Sequence, residues 1–209
     1  MLAFVVVAHD SVGREVSERE VVARLSPSDR ARLASLADDP AGAARFLAGR
    51  AALFTAAERL GEADIHIDAR CPDCGLAHGR PRAEAAGAPV HLALAHAGAS
   101  AFAVAARAPV GIDAEPLTVD ADRLAAIDDL APGRGDPLRR WTAIEAVLKA
   151  DGRGLRLAPD TVRVGLRSAR LDGVRYGVTT SRAADCVVTV AERHPLPGEV
   201  HVVAAIRRR

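Results

Sequence analysis

Ala106-Arg107-Ala108-Pro109-Val110-Gly111-Ile112-Asp113-Ala114-Glu115-Pro116 contains one ending and one restart. The apolar run 101–106 reads as a strand that stops at Arg107, and 110–114 reads as a new strand that begins after Ala108-Pro109. Upstream, 90–94 is strand-like, and Ile65 and Ile67 alternate with polar residues as a strand does. Residues 70–83 are rich in Cys, Pro and Gly and read as a loop. Three helices are expected before that. Ser17-Glu18-Arg19-Glu20 has capping-box spacing and opens one through Leu25. Ser26-Pro27-Ser28-Asp29 opens the next through about Ala37, with a cap, an N1 proline and a first-turn acid. Pro40 starts the third, from about Ala41 to Leu60, closed by Gly61. Residues 2–8 read as a buried strand.

Downstream, 117–136 suggests a short helix and a glycine-rich connection. A helix is expected from about Pro137 to Ala150, stopped by Gly152-Arg153-Gly154. Strands are expected near 161–166, 171–178, 185–191 and 199–206. Helices then strands, followed by a helix then strands, predict an α+β chain of two similar halves, 1–108 and 109–209.

The 209 residues suit one large domain or two small ones, and 49% of them are hydrophobic, which excludes disorder driven by low hydrophobicity and high charge. Twenty-eight basic against 27 acidic residues leave a net charge of +1, far from the balance of a general nucleic-acid binder. A local anion site remains compatible with that balance. No membrane segment is expected: residues 2–8 are cut off by His9-Asp10, and 90–112 is broken by His91, His96, Arg107 and Pro109. With no secretory leader visible, the expected location is cytoplasmic. Three cysteines (Cys71, Cys74, Cys186) are too few for a disulfide scaffold.

Every basic residue except Lys149 is an arginine. In an arginine-biased chain a lone lysine either survives by chance or marks a place that needs a compact ammonium. On the expected helix, Trp141, Glu145 and Lys149 fall at i, i+4 and i+8 and share one stripe. Ala143, Ala146, Val147 and Ala150 supply the positions that pack on a sheet. An exposed Glu–Lys pair is the plain alternative. On the strand, Asp113 and Glu115 point the same way, roughly 6.5–7 Å apart. They are either a solvated strand end or two hard oxygen donors of the kind that hold Mg²⁺ beside a phosphate.

Gly-Ile-Asp-Ala-Glu at 111–115, with Trp-Thr-Ala-Ile-Glu-Ala-Val-Leu-Lys-Ala-Asp-Gly-Arg-Gly-Leu at 141–155, resembles the signature of 4'-phosphopantetheinyl transferases. The likeness is to the larger pseudo-dimeric type that serves polyketide and peptide synthetases. Arg45-Phe46-Leu47-Ala48-Gly49-Arg50, Cys71-Pro72-Asp73-Cys74-Gly75-Leu76-Ala77-His78-Gly79-Arg80-Pro81 and Leu94-Ala95-His96-Ala97-Gly98 agree with it. The five segments run in the family's order over about residues 25 to 155. The resemblance implies two α/β halves related by a pseudo-twofold axis and a monomer with coenzyme A between them. It also implies Mg²⁺-dependent transfer of phosphopantetheine to a carrier-protein serine, releasing 3',5'-ADP. Carried over by position, Asp113, Glu115 and Glu145 hold the metal, and Glu145 also accepts the serine proton. Lys149 stabilises the phosphate under attack, and His96, Arg80, Arg50 and Arg45 contact coenzyme A.

The sequence departs from the family pattern where Ile144 replaces a lysine and Ala95 a serine, and in a short 116–140 connection. These departures bear on carrier recognition and one phosphate contact. They also motivate one rival, a coenzyme A- or nucleotide-binding pseudoenzyme that meets synthetase machinery without catalysis. A second rival is a metal-dependent phosphohydrolase acting on small anhydrides, in which water replaces the serine. Cys71, Cys74 and His78 offer three ligands where a structural zinc wants four, or else form a loop that presents Gly79-Arg80-Pro81. Cys186 reads as core, and His9, His66, His91, His194 and His201 as surface or strand residues.

Overall fold

A computed structural model describes residues 4–10, 17–62, 65–71, 74–76, 79–84, 90–193 and 200–203. His78 and His194 lie outside these ranges. The elements run β1 (Phe4–Asp10), α1 (Glu18–Arg24), α2 (Pro27–Ala34), α3 (Pro40–Arg59), β2 (His66–Asp68), β3 (Arg82–Glu84), β4 (Val90–Ala97), β5 (Ser100–Ala106) and β6 (Val110–Pro116). There follow α4 (Ala121–Leu130), α5 (Pro137–Asp151), two 3₁₀ turns, β7 (Arg163–Val164), β8 (Ser168–Leu171), β9 (Val174–Ala183), β10 (Cys186–Arg193) and β11 (Val200–Val203). The protein is mixed α and β, as its pattern of elements predicts.

Two sheets result. One has the order β11-β1-β5-β4-β3-β2 and the other β6-β10-β9-β8-β7. Every pairing is antiparallel except β1 with β11, so the last described strand returns to the first sheet. The α1 capping box forms as its sequence predicts, and Ser26 caps α2. Three expectations needed correction. Residues 82–84 of the expected loop pair as β3, β4 runs on to Ala97, and 171–178 is not one strand. The chain turns there at Asp172-Gly173, both at positive φ (+47° and +78°), so β8 and β9 form a hairpin.

Strand alternation builds the layers. Ala93, Ala95 and Ala97 of β4, Phe102 and Val104 of β5, Val110, Ile112 and Ala114 of β6, and Val188 and Val190 of β10 fill one core between the sheets. The small alanines let the two backbones approach closely. Cys186 is buried in this layer, as expected. Leu47, Ala51, Leu53 and Phe54 of α3 cover the outer face of the first sheet. Ala143, Ala146, Val147 and Ala150 of α5 cover the second. A buried hydroxyl chain fastens α5 to that sheet: Thr142 Oγ1 to Thr189 Oγ1 at 2.7 Å, then Thr180 Oγ1 at 3.0 Å. Arg140 pins the connection before α5, donating to the carbonyls of Ala131, Arg134 and Gly135 and pairing with Asp128.

Glu192 of β10 shares the inner face with Val188 and Val190 and is 4% exposed. Its Oε1 has no partner among the described residues. Burial pushes its carboxyl up to about 7. The folded form therefore keeps a proton that the unfolded chain releases near 4.5, and stability is lost as pH rises through about 7. Glu192→Gln should melt higher than wild type at pH 8, by about 1–2 kcal/mol, and the gap should nearly close at pH 4.5. Thermal unfolding followed by circular dichroism at the two pH values checks this.

Candidate active site

The candidate site lies where β6 passes under α5. Asp113 and Glu115 alternate with Ile112 and Ala114, so while the apolar pair enters the core between sheets, the acids face the helix. Gly111 makes this approach possible. A Cβ there would overlap the Ala146 carbonyl oxygen and stand 2.5 Å from the Ala150 nitrogen and 2.9 Å from Lys149 Cβ. On α5, which is capped by Asp136 and closed by Gly152 at φ +94°, Glu145 and Lys149 are one turn apart on the same side.

Lys149 Nζ donates to Asp113 Oδ1 at 2.6 Å. Asp113, Glu115 and Glu145 are buried, at 8%, 8% and 9% exposure. Burial pushes the Asp113 carboxyl up; Lys149 draws it back and Glu115 pushes it further. Burial also raises Glu145, Lys149 opposes the shift, and Asp113 and Glu115 both reinforce it. Asp113 and Glu115 are thus near enough to Glu145 for their charges to act on it. Among the described residues no three acidic, histidine or cysteine side chains stand together so that, as placed, they could hold a metal ion. Asp113 is turned to Lys149, and Glu115 accepts from Arg123 Nη2 at 2.7 Å.

This donor set fits a hard divalent ion on two counts. Asp113 Oδ2 is buried with no hydrogen-bond partner among the described residues, so one lone-pair-bearing oxygen is unused. Three carboxylates also face one ammonium and one half-exposed guanidinium, leaving the cluster short of positive charge.

His96 of β4 lies on the face of the first sheet toward α3. Gly49 makes room for it, since a Cβ on Gly49 would stand 3.1 Å from the imidazole Cε1 and Nε2. Burial, then Arg45, Lys149 and Arg50, push the His96 imidazole down to about 4, so it is neutral at neutral pH. Arg45 is exposed and lines a cleft of about 420 Å³ together with His96, Glu115, Asp120 and Arg123. Arg50 is placed differently. It is 5% exposed, forks onto Asp29 at 2.6 and 2.7 Å, and lies 4.6 Å over the Phe46 ring. Its field reaches His96 while its hydrogen bonds are spent on Asp29.

Arg80 bridges the two sheets. It donates to the Val110 carbonyl at 3.3 Å and lies over Gly152. It lines a cleft of about 260 Å³ that includes Lys149, and a second of about 610 Å³ that includes Arg70, Arg82, Arg153 and Arg156. No described lining residue of either is acidic. The site therefore offers buried acids and an ammonium beside a basic cleft, which suits a phosphate ester held through a cation. Trp141 is half-buried and packs on the cores beneath α5 and α4. Cys71 is half-buried and Cys74 exposed on the loop before Arg80.

Sequence reasoning missed Arg123, Asp29 and the close approach at Gly111. Only the last left a local signal: a glycine inside an apolar strand marks a near backbone. No family model matches this chain, and no curated protein matches its sequence. Among the described residues no helix is long and apolar enough to cross a membrane.

Proposed function

We propose that the chain is a divalent-cation-dependent 4'-phosphopantetheinyl transferase, moving the phosphopantetheine of coenzyme A to a serine of an acyl or peptidyl carrier protein and releasing 3',5'-ADP. The observation that carries this reading is the chain's only lysine bonded to Asp113, with Glu115 and Glu145 buried within electrostatic reach, beside clefts that Arg80 lines. In the same reading the two sheet-and-helix units are halves related by a pseudo-twofold axis, the protein acts as a monomer, and coenzyme A lies along their seam.

Asp113, Glu115 and Glu145 would hold a Mg²⁺-type ion, which polarises the diphosphate and stabilises the departing ADP. Lys149, now donating to Asp113, would supply a point charge to the phosphate under attack. Glu145, one helical turn before Lys149, would receive the serine proton, directly or through water. Arg80 supplies a partly desolvated guanidinium to the nucleotide phosphates. Neutral His96 donates one ring N–H without adding charge, and Arg45 faces the open cleft. Arg50 acts through Asp29 and Phe46, holding α3 against α2 and bringing its field to His96.

Incubation with coenzyme A, Mg²⁺ and a panel of apo carrier proteins, followed by intact mass, tests the reading. One added phosphopantetheine on at least one carrier is expected; no addition on any would overturn it. The pseudoenzyme reading draws on Ile144, whose 3%-exposed side chain lies in the α5 core and leaves Lys149 alone to supply an ammonium. Calorimetry separates the two: tight binding of coenzyme A without turnover would favour the pseudoenzyme.

A further inference from the structure

We propose that Arg123 is a displaceable counter-cation for Glu115, which a divalent ion must push aside before the strand acids can hold it, so that Arg123 sets the affinity of the site. The inference rests on Asp113, Glu115 and Glu145 being the metal-holding set, and adds a residue outside that set.

The pair is asymmetric. Glu115 has an 11%-exposed side chain on β6, the strand that ends the second sheet beneath α5, and its burial there fixes it. Arg123 is the third residue of α4, its backbone held because its amide donates to the Asp120 side chain at 2.7 Å. Its side chain is 55% exposed, and its guanidinium reaches Glu115 from the solvent side. Leaving therefore costs Arg123 little desolvation, whereas Glu115 cannot leave. A destination exists as well: the cleft of about 420 Å³ has Arg123 and Asp120 in its wall, and the Asp120 charge already favours the guanidinium. Lys149 differs, because it rises from the helix over Asp113 and belongs to the chemistry.

Even swung aside, a guanidinium about 6 Å from a dication opposes it. Removing that charge at a water-like dielectric should tighten cation binding about tenfold. The guanidinium also occupies one of the two Glu115 oxygens, so binding and ion pairing compete directly.

The test titrates the full chain with Mn²⁺ alone, reading free ion by its paramagnetic resonance signal, for wild type, R123Q, R123K and E115Q. R123Q should bind about tenfold tighter than wild type, with R123K close to wild type. Equal or weaker binding by R123Q would overturn the proposal. E115Q separates its failure from that of the underlying reading. If wild type binds no Mn²⁺, or E115Q binds as well as wild type, the three-acid set falls and the proposal with it. If E115Q binds weakly while R123Q matches wild type, the metal set stands and only the role of Arg123 is lost.

Discussion

Glutamine in place of Glu145 should lower phosphopantetheine transfer by about three orders of magnitude and at the same time raise the melting temperature. Both effects have one cause. Glu145 is buried, and burial, reinforced by the like charges of Asp113 and Glu115, pushes its proton affinity up against the pull of Lys149. A group raised in the folded state contributes stability at low pH that is lost as pH climbs through its folded value. The amide carries no charge, so it escapes that loss, and the stability advantage of Glu145→Gln should widen from pH 5 to pH 8. The amide keeps the volume but gives up one anionic oxygen for the cation and the capacity to take a proton. Intact-mass rates on the carrier substrate and melting curves at both pH values read the two effects. Unchanged transfer would remove Glu145 from the chemistry, and a lower melting temperature at pH 8 would deny that it sits among like charges.

Gly111→Ala should be the most damaging single methyl addition in the second sheet. The new Cβ would overlap a backbone carbonyl and press on a backbone amide of α5. Neither can rotate away as a side chain could, so the helix must lift from the strand. Overpacking of this kind costs about 3 kcal/mol or more. The displacement also parts Lys149 from Asp113, now 2.6 Å apart, so transfer should fall with stability. Gly49→Ala makes a control: its nearest contacts, at 3.0–3.1 Å, are side-chain atoms of Leu94 and His96 that can yield. Urea unfolding of both variants measures the contrast. A Gly111→Ala protein as stable as wild type would show that β6 and α5 are not held so close.

The elements that carry the acids were legible because each has a clean local period. The strand 110–116 alternates apolar with acidic residues, and α5, seen over Pro137–Asp151, has a proline start, a glycine stop and a 3.6-residue apolar face. Less legible were features set by tertiary path. Asp29 meets Arg50 across 21 positions, and Arg123 reaches back to Glu115 only because the 117–120 segment doubles over the strand end. The hairpin at Asp172-Gly173 had a local signal, an Asp-Gly pair between apolar runs. A single long strand hides it when the apolar content of 171–178 is weighed above the turn residues. At β4, alanine-rich composition masks the strand's length, because alanine has weak β-propensity and gains its place from close sheet packing.

The parallel partnership of β1 with β11 has a bearing on synthesis. A nascent chain makes β1 early and β11 only after the whole second sheet has been translated. Until then one flank of β1 presents open amides and carbonyls, a template on which strands from neighbouring nascent chains can dock. Crowded expression at high temperature should therefore favour inclusion bodies seeded at this edge, and slower translation should spare them.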